Sequence, residues 1–470
     1  MPLVLGVDSS TQSTKVEVRD ADDGRLVALG RAAHPAAMPP RSEQDPAAWW
    51  KAFSEAYERA GAPSVDAIAV AAQQHGMVVL GAHEQVLRPA KLWNDTESAP
   101  QADALVARLG ADTWAATCGS VPVAAFTVTK LAWLRQHEPD VFAAVRRVLL
   151  PHDWLTAQLC GAVVTDRGDA SGTGYWSPAK ECWRTDLLAL VDDSVDWSAR
   201  LPTVAGPTDA VGKWNGAVVA AGTGDNMGAA LGLGLQPGDV AISLGTSGTV
   251  YAVAEQPVAD ASGAVAGFAD ATGSFLPLVC TLNATRVTDA FARVLGVGRE
   301  AFDRLALAAP PGAAGLTLLP YLDGERTPNR PGATGVLDGL RADTTPAQVA
   351  RAAVEGVVCG LLDGLDALAA AGVAVGDGRL VLIGGGARSA AFREAVAGLA
   401  GRPVVVPEAT ELVATGACVQ AAAVIHGCFP GQVASAWDLG GGPVIEPDAS
   451  IDRHEVRNRY AQRRDTEGAR

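Results

Sequence analysis

Two stretches of the chain, more than two hundred residues apart, share a pattern of strand, tight polar turn and second strand. The first covers residues 3–18 and turns at Ser9-Ser10-Thr11, and the second covers residues 240–253 and turns at Gly245-Thr246-Ser247. A turn of Gly, Ser and Thr between β-rich segments points backbone N–H groups and hydroxyls into one concavity, which suits a phosphate. Because the pattern occurs twice, we predict two similar domains that face each other across a nucleotide.

The composition is that of a globular protein with more than one core. The chain has 470 residues, of which 48% are hydrophobic and 19% are charged, enough for two or three domains. Its net charge of -15 argues against a nucleic-acid partner, which needs a concentrated basic face. A local group of N–H donors can still hold the phosphates of ATP on such an acidic chain.

The cysteines and the apolar segments predict a cytoplasmic location. The seven cysteines are scattered without a C-x-x-C pair, so we expect free thiols in a reducing compartment. The N-terminus enters a strand at once, and no signal peptide is expected. The longest apolar stretch, near residues 412–429, is interrupted by Gln420 and by two glycines, so no membrane partner is expected.

The order of apolar and polar segments predicts an α/β protein. Helices are expected after Pro46 and at about 98–109, 128–137, 346–371 and 389–400. We predict an N-terminal domain over residues 1–221, a C-terminal domain over 222–450 and a charged tail over 451–470. The tail is poor in apolar residues, and we expect a surface helix or partial disorder there.

Residues 206–214 come close to a Walker A phosphate loop. The residue after Lys213 is Trp214, where Ser or Thr would have to bind Mg²⁺. No convincing strand precedes the segment. We interpret it as a surface turn.

The segment Gly222-Thr223-Gly224-Asp225-Asn226 follows the apolar residues 217–221 and precedes a helix of small residues. Transfer of a phosphoryl group to an alcohol needs a carboxylate that accepts the hydroxyl proton. Asp225 could supply that carboxylate from a strand end, or it could simply cap the following helix. Its position alone does not separate the two interpretations.

Several motifs, taken in order, resemble those of the FGGY carbohydrate kinases. The segments 130–137 and 335–355 resemble the two family signatures, although Ala125 stands where a larger residue or Gly is usual. Each motif alone is weak, whereas their order from residue 3 to about 427 is specific. Within the family, the members that phosphorylate D-xylulose are most similar. The shorter motifs are Asp8-Ser9-Ser10-Thr11-Gln12-Ser13-Thr14-Lys15, Gln74-His75-Gly76, Leu92-Trp93-Asn94-Asp95, Gly224-Asp225-Asn226 and Ser243-Leu244-Gly245-Thr246-Ser247-Gly248.

The resemblance implies a fold and a reaction. The fold is α/β with two actin-like (ribonuclease H-like) domains, each a mixed sheet flanked by helices, and a cleft between them. The reaction is ATP-dependent phosphorylation of a ketopentose, D-xylulose to D-xylulose 5-phosphate, by in-line transfer of the γ-phosphoryl group. Asp225 matches the general base of the family. Two alternatives stay open: another FGGY kinase acting on ribulose, gluconate, rhamnulose or erythritol, and an actin-like ATPase switch module.

The resemblance also assigns candidate site residues. Asp8 and Asp225 are implied to hold Mg²⁺, directly or through water, although Asp8 could also close an Asx-type turn. Sugar contacts are implied for Gln74, His75, Trp93, Asn94, Asp95 and Asn226, with His75 as a neutral imidazole. ATP contacts are implied for Ser9, Thr11, Ser13, Lys15, Gly245, Thr246, Ser247, Gly385, Gly386 and Ser389. The hydroxyls of residues 9–15 that touch phosphate, the oligomeric state (a homodimer being one alternative), the order of substrate binding and regulation stay open.

Overall fold

Helices and strands alternate along residues 1–467, the part of the chain that the computed structural model describes. The strands are β1 Leu3–Ser9, β2 Ser13–Asp20, β3 Leu26–Ala33, β4 Glu43–Gln44, β5 Ala67–Ala72, β6 Val78–Leu80, β7 Ala90–Lys91, β8 Arg147–Leu149, β9 Val164–Asp166, β10 Trp176–Ser177, β11 Cys182–Trp183, β12 Thr203–Ala205, β13 Ala210–Trp214, β14 Ala217–Ala220, β15 Thr223–Gly224, β16 Val240–Leu244, β17 Gly248–Ala252, β18 Ala266–Ala269, β19 Phe275–Thr281, β20 Thr317–Leu319, β21 Val336–Asp338, β22 Leu380–Ile383, β23 Val404–Val405 and β24 Val444–Ile445.

The α-helices are α1 Pro46–Arg59, α2 Ala99–Leu109, α3 Ala111–Cys118, α4 Thr127–His137, α5 Pro139–Ala144, α6 Pro151–Cys160, α7 Arg167–Ser171, α8 Thr185–Leu188, α9 Asp225–Gly232, α10 Thr285–Val294, α11 Arg299–Ala308, α12 Pro346–Ala370, α13 Ala390–Ala400, α14 Leu412–His426, α15 Pro430–Ala436 and α16 Arg453–Glu467. Short 3₁₀ helices cover Ser198–Arg200, Ala313–Gly315 and Gly385–Arg388.

The chain divides into two units that are discontinuous in sequence. Unit 1 contains Met1–Leu235, Glu255–Leu276 and Glu411–Gly440, and unit 2 contains Gln236–Ala254, Pro277–Thr410 and the chain from Gly441 onward. This division differs from the predicted boundary between residues 221 and 222. The reason is that β15 pairs with β5, which keeps Thr223 and Gly224 in the sheet of unit 1.

The sheet of unit 1 has the strand order β13-β14-β5-β1-β2-β3, and β15 also pairs with β5. β1 is antiparallel to β2 and parallel to β5, and β14 and β15 are parallel to β5. Because β1, β5 and β15 run in the same direction, their carboxyl ends lie side by side at one edge of the sheet.

Six strands of the sheet of unit 2 repeat this order as β24-β23-β22-β16-β17-β19. β16 is antiparallel to β17 and parallel to β22, β23 is parallel to β22, and β24 is antiparallel to β23. The two hairpins predicted from residues 3–18 and 240–253 are therefore β1–β2 and β16–β17, at equivalent places in two mixed sheets. The predicted fold of two helix-flanked mixed sheets is confirmed.

Helices cover both faces of the unit 1 sheet. Leu5 and Val7 of β1 belong to one buried cluster with Trp49 of α1 and Trp154 of α6. Because side chains alternate along a strand, Gly6 faces the other way, and a Cβ there would lie 2.0 Å from the carbonyl oxygen of Ala414 in α14. The glycine at this position therefore lets α14 lie directly on the strand.

In unit 2, the long helix α12 begins with a capping box. The Thr345 hydroxyl accepts a hydrogen bond from the N–H of Gln348 at 3.3 Å, and the Gln348 side chain accepts one from the Thr345 N–H at 2.8 Å. Pro346 occupies the first helical position, where its missing N–H costs nothing. The helix packs on β17, with Gly364 next to Val250.

Most predicted helices are found within one or two residues of their expected ends, namely α1, α2, α4, α12 and α13. The interpretation of residues 206–214 as a turn is wrong for Ala210–Trp214, which forms the edge strand β13, antiparallel to β14. The predicted tail contains α16, in which Val456 and Tyr460 are buried. Residues 468–470 of that tail lie outside the described residues.

No single helix of residues 1–467 is both long and apolar enough to cross a membrane. Length and composition are sufficient only for α14 and α15 taken together, and that pair is bent by 109°.

Replacement of Gly232 by alanine is expected to destabilise unit 1. A Cβ at Gly232 would lie 2.0 Å from the Leu412 carbonyl oxygen, where α9 meets α14. The added methyl group would meet backbone atoms of α14, which cannot rotate away as a side chain can. We therefore expect Gly232→Ala to lower the free energy of unfolding by about 3 kcal/mol, measured by urea unfolding. Gly431→Ala, whose methyl group meets no atom within 4 Å, is the control. Equal stability of the two variants would contradict this packing.

Candidate active site

Polar residues of unit 1 collect where three parallel strands end. Asp8 near the end of β1 and Thr223 of β15 both lie opposite Ala71 of β5. Gln74-His75 follows β5, and Asp225 follows β15. The register therefore brings together three of the segments that the sequence assigned to catalysis and sugar binding, at the edge where α/β sheets bind ligands.

Asp225 has the properties of a proton acceptor. It is the first residue of α9, whose N-cap is Gly224, and its carboxyl group accepts hydrogen bonds from its own N–H and that of Asn226. Burial raises the pKa of Asp225 to about 8, and the charges of Asp8 and Asp169 add to this effect. Part of the side chain is still accessible to solvent. A ligand-accessible carboxyl group with a pKa near neutrality fits a general base.

Asp8 is buried beside a lysine. Lys15 Nζ lies 3.4 Å from Asp8 Oδ2 and 2.7 Å from Glu411 Oε2, and the Ser10 hydroxyl donates to Asp8 Oδ1. Burial raises the pKa of Asp8, although the Lys15 ammonium group opposes the shift. Because the charge of Asp8 also raises the pKa of Asp225, the two carboxylates repel each other, and a divalent cation bound by their oxygens would relieve this repulsion.

Asn226 connects the candidate base to the candidate sugar-binding segment. Its Nδ2 donates to Gln74 Oε1 at 2.7 Å and to Asp225 Oδ1 at 3.1 Å. The Nε2 atom of Gln74 is buried and has no hydrogen-bond partner within residues 1–467. A buried amide N–H without a partner is costly, so this group suits a hydroxyl of a ligand.

His75 is held in an unusual backbone conformation, with φ at 64°. Its Nδ1 lies 2.7 Å from the Gly172 carbonyl oxygen, so Nδ1 carries a proton, and in the neutral ring Nε2 is an acceptor. The ring stacks on Phe126 with 5.1 Å between centroids and contacts Phe268 at 5.5 Å. These contacts fix the ring plane, and the neutral state of His75 and its contact with sugar hydroxyls stay predictions.

Thr11 links a candidate ATP residue to the sugar-binding segments. Its hydroxyl accepts a hydrogen bond from Trp93 Nε1 at 2.9 Å and donates to Gln73 Oε1 at 3.1 Å. Trp93 is 39% exposed, and Asn94 Oδ1 is buried with no hydrogen-bond partner in the described chain. Trp93 is therefore linked through Thr11 to Gln73, just after β5, and contact of Trp93 and Asn94 with sugar stays a prediction.

Three residues that the sequence assigned to ligand contacts, Asp95, Ser9 and Ser13, are buried in the structure. The Asp95 carboxylate is buried, lies 3.0 Å from Lys91 Nζ, and accepts hydrogen bonds from the N–H groups of Ser42 and Glu97. Ser9 and Ser13 are buried at the ends of β1 and β2. A direct contact of Asp95 with sugar, and of Ser9 and Ser13 with phosphate, stays a prediction.

The acidic cluster around Asp95 surrounds the ammonium group of Lys91. Glu43, Asp95 and Glu97 come close enough to one another to hold a metal ion. Lys91 Nζ lies 3.1, 3.0 and 2.5 Å from their carboxylates and 3.9 Å from the centroid of the Trp133 ring. The lysine therefore balances the acidic charge of this cluster.

Unit 2 contains a cavity of about 550 Å³ beside the turn of the second hairpin, a size that suits a nucleoside. Ser247 is exposed at the hairpin turn and does not line the cavity. The structure brings the remaining candidate ATP residues of this unit together in the lining: Gly245, Thr246, Gly385, Gly386 and Ser389.

The glycines between β22 and α13 differ in their roles. Gly384 has φ at 88°, and a Cβ there would lie 2.6 Å from the Leu244 carbonyl oxygen. A Cβ at Gly386 would lie 2.8 Å from the Leu244 Cβ, whereas one at Gly385 would meet nothing within 4 Å. Gly384 and Gly386 therefore allow the turn to approach β16, and Gly385 leaves room for a ligand.

Helices α10 and α11 supply cavity residues that the sequence analysis missed, including Asp289 and Asp303. The Asp303 carboxylate accepts a hydrogen bond from the Ser389 hydroxyl and from the N–H groups of Ala390 and Ala391, each at 3.2 Å. The Ser389 hydroxyl in turn accepts from the Phe392 N–H and caps α13. Ser389 therefore shapes the cavity wall, and no local signal in α11 marked Asp303.

The chain has two helix-flanked mixed sheets of the same strand order. One sheet has carboxylates at its strand ends, and the other lies beside a nucleoside-sized cavity. This combination is typical of a two-domain actin-like kinase. The N-terminal domain of the FGGY family of carbohydrate kinases matches residues 3–232, and the C-terminal domain matches residues 240–425. The chain therefore belongs to the FGGY family of carbohydrate kinases. It is a sugar kinase, a phosphotransferase that uses ATP.

Individual relatives are similar over nearly the whole chain. A protein named xylulose kinase from Streptomyces coelicolor is 50% identical, covering 97% of this chain and 94% of its own length. One of the same name from Streptomyces rubiginosus is 49% identical, with 97% and 94% covered. The crystal structure of xylulose kinase from Bifidobacterium adolescentis has a TM-score of 0.89 and 43% identity, and covers 98% of this chain and 99% of that one.

The raised pKa of Asp225 predicts a pH-dependent stability cost. An acid whose pKa rises from 3.8 unfolded to about 8 folded binds more protons in the folded state. The free energy of unfolding therefore falls as the pH rises between these values. We expect Asp225→Asn to match the wild type near pH 4 and to exceed its stability by several kcal/mol at pH 8.5, because each unit of the pKa shift is worth about 1.4 kcal/mol; urea unfolding in metal-free buffer measures the difference.

Asp193→Asn, at an exposed loop position, serves as the control and should show the same small effect at both pH values. An advantage of Asp225→Asn that does not grow between pH 4 and pH 8.5 would contradict the raised pKa.

Proposed function

We propose that this chain transfers the γ-phosphoryl group of ATP to the terminal hydroxyl of D-xylulose, which gives D-xylulose 5-phosphate. The observation that carries the proposal is Asp225, a carboxyl group with a pKa of about 8, bonded through Asn226 to Gln74. Relatives named xylulose kinase align with nearly the whole chain, which supports D-xylulose as the sugar.

Asp225 acts as the general base. The terminal hydroxyl oxygen attacks the γ-phosphorus, its proton passes to the Asp225 carboxylate, and the bond from phosphorus to the bridging oxygen of ADP breaks. A carboxyl group with a pKa near the working pH is effective here, because it is both partly ionised and basic enough to accept a proton. The hydrogen bond from Asn226 Nδ2 keeps the carboxylate in position.

The sugar-binding residues suit an uncharged, hydroxyl-rich chain. Gln74 Nε2 supplies a buried donor, and the neutral His75 ring supplies an acceptor at Nε2. Asp225 and Asp8 make this end of the sheet acidic, which disfavours a sugar acid such as gluconate. These features support a ketose over an aldonic acid as the acceptor.

Asp8 and Asp225 would hold Mg²⁺, directly or through water, and their oxygen donors fit this ion. When bound, the ion supplies positive charge that offsets the negative charge on the transferred phosphoryl group. Lys15 keeps Asp8 in place through its contact with Oδ2 at 3.4 Å. The cavity of unit 2 would hold the adenosine, with the N–H groups of Gly245 and Thr246 directed to the phosphates.

A cytoplasmic location, expected from the dispersed cysteines, stays a prediction.

Sugar-dependent ADP release tests the choice of substrate. We expect kcat/KM for D-xylulose to exceed that for L-ribulose, gluconate, rhamnulose, erythritol and glycerol by about tenfold or more, because each alternative changes the hydroxyls that Gln74 and His75 meet. No turnover of D-xylulose would refute the proposal. ATP hydrolysis that no sugar stimulates would instead indicate an ATPase switch module.

Replacement of the base tests the mechanism. Asp225→Asn keeps the shape of the side chain, but an amide cannot accept the hydroxyl proton. We expect kcat to fall by about 10³-fold, while the Kd for D-xylulose from calorimetry changes by less than about threefold. Asp193→Asn should have wild-type kinetics. Near-normal turnover by Asp225→Asn would remove Asp225 as the general base.

A further inference from the structure

The segment Asp166–Gly172, which consists of α7 and one residue on each side, contacts both polar strand ends of unit 1. At one end, the Gly172 carbonyl oxygen lies 2.7 Å from His75 Nδ1. At the other end, Asp166 Oδ2 accepts a hydrogen bond from the Thr223 hydroxyl at 2.8 Å. Thr223 stands two residues before Asp225. One short buried helix therefore lies between the residue assigned to sugar binding and the residue assigned to proton transfer.

The same segment also bonds to the chain next to Phe268, an aromatic neighbour of His75. The Ser171 hydroxyl accepts a hydrogen bond from the Ala269 N–H at 3.0 Å and donates to the Gly168 carbonyl oxygen at 2.6 Å. Ala269 follows Phe268, whose ring contacts that of His75 at 5.5 Å. A shift of α7 would thus move the His75 ring and its aromatic neighbour together.

A buried ion pair anchors the segment. Asp169 is fully buried, and its Oδ2 lies 2.8 Å from His152 Nδ1. Burial alone would lower the pKa of His152, but Asp153 and Asp169 raise it to about 9, so the imidazole is charged at neutral pH. Burial raises the pKa of Asp169 to about 6, although the His152 imidazole and the backbone N–H of His75 both oppose this shift. Breaking a buried ion pair is strongly unfavourable, so α7 resists displacement.

His75 needs such support. A non-glycine residue at a positive φ is strained and persists only where its surroundings determine its conformation. Three contacts do so at this position: the ring bond to Gly172, the stacking on Phe126 at 5.1 Å, and a hydrogen bond from the Thr127 hydroxyl to the His75 carbonyl oxygen at 3.2 Å.

We infer that the segment Asp166–Gly172 is a positioning element with two roles. Through Gly172, it fixes the orientation of the His75 imidazole for sugar binding. Through the Asp166–Thr223 hydrogen bond, it fixes the position of the Asp225 carboxyl group for turnover. The inference rests on the proposed function in one respect, namely that His75 contacts the sugar. Neither Gly172 nor Thr223 is itself required to touch the substrate.

Gly172 gives the direct test. Its φ is −82°, so alanine fits the backbone, but a Cβ there would lie 2.5 Å from His75 Nδ1 and 2.6 Å from Cε1. The ring cannot move away freely between Phe126 and Phe268. We expect Gly172→Ala to weaken D-xylulose binding without nucleotide by about tenfold, with KM for ATP close to that of the wild type and a melting temperature only a few degrees lower, because the added methyl group overpacks a buried site. Gly431→Ala, which adds a methyl group in open space, should bind D-xylulose like the wild type.

A double-mutant cycle with His75→Asn separates an effect through His75 from general damage. Asparagine tolerates a positive φ and is shorter, so it leaves room for the methyl group. In the His75→Asn background, we expect Gly172→Ala to change the Kd for D-xylulose by less than about twofold. An equal loss of affinity in both backgrounds would overturn the inference, as would wild-type affinity of Gly172→Ala.

The other end of the segment is tested by Thr223→Val, which removes the hydroxyl that donates to Asp166. We expect kcat to fall about tenfold and the Kd for D-xylulose to change by less than about twofold, since a displaced base lowers the rate without altering the sugar contacts. An unchanged kcat would overturn the inference, and this arm still decides it if Gly172→Ala does not fold. If the wild type binds another sugar in place of D-xylulose, the proposed function fails, and the same variants compared on that sugar still test the positioning role.

Discussion

The placement of two carboxyl groups, the buried Asp8 and the partly accessible Asp225, at the ends of neighbouring parallel strands is the constraint on which the rest of unit 1 depends. Burial raises the pKa of both Asp8 and Asp225, and the charge of Asp8 raises that of Asp225 further. The folded chain therefore holds these groups at a cost in free energy. The strand register supports them, because Asp8 and Thr223 face the same residue of β5, Ala71. Such a cost at strand ends is typical of a site selected for reactivity rather than stability.

The two units use the same strand order for different purposes. In unit 1, the ends of β1, β5 and β15 carry carboxyl, amide and imidazole groups, which suit proton transfer and the binding of hydroxyls. In unit 2, the equivalent hairpin β16–β17 and the turn after β22 carry glycines beside a cavity of about 550 Å³. A cavity with glycine backbone on one side and helix side chains on the other suits the phosphates and the nucleoside, respectively. The repeated fold thus supplies the framework, and the residues at the strand ends decide the chemistry.

Local signals account for what the sequence could predict. The hairpin turns, the helix start at Pro46 and the capping box of Thr345 and Gln348 are each contained within a few residues. The return of Glu411–Gly440 to unit 1 could not be predicted, because it depends on close packing of α14 against Gly6 of β1. The same reason applies to Asp303, which reaches Ser389 from another helix. The prediction of a turn at residues 206–214 is wrong for β13 because Gly206, Pro207, Asp209 and Gly212 belong to residue types that are depleted in strands, whereas pairing with β14 decides the conformation.

The cluster behind α7 explains how a strained site keeps its geometry. His152 is surrounded by three carboxylates, at 2.8 Å from Asp169, 3.3 Å from Asp153 and 3.8 Å from Asp166. Burial raises the pKa of Asp153 to about 7, so protonation of this acid reduces the excess negative charge. Backbone N–H groups also donate to Asp153 and Asp166. His152 Nε2, Asp153 Oδ1 and Asp169 Oδ1 are buried without a hydrogen-bond partner in residues 1–467, so the cluster is held by its charged contacts and by these backbone hydrogen bonds rather than by a fully satisfied network. The precision needed for catalysis, within about half an ångström, is therefore provided by residues that touch neither sugar nor nucleotide.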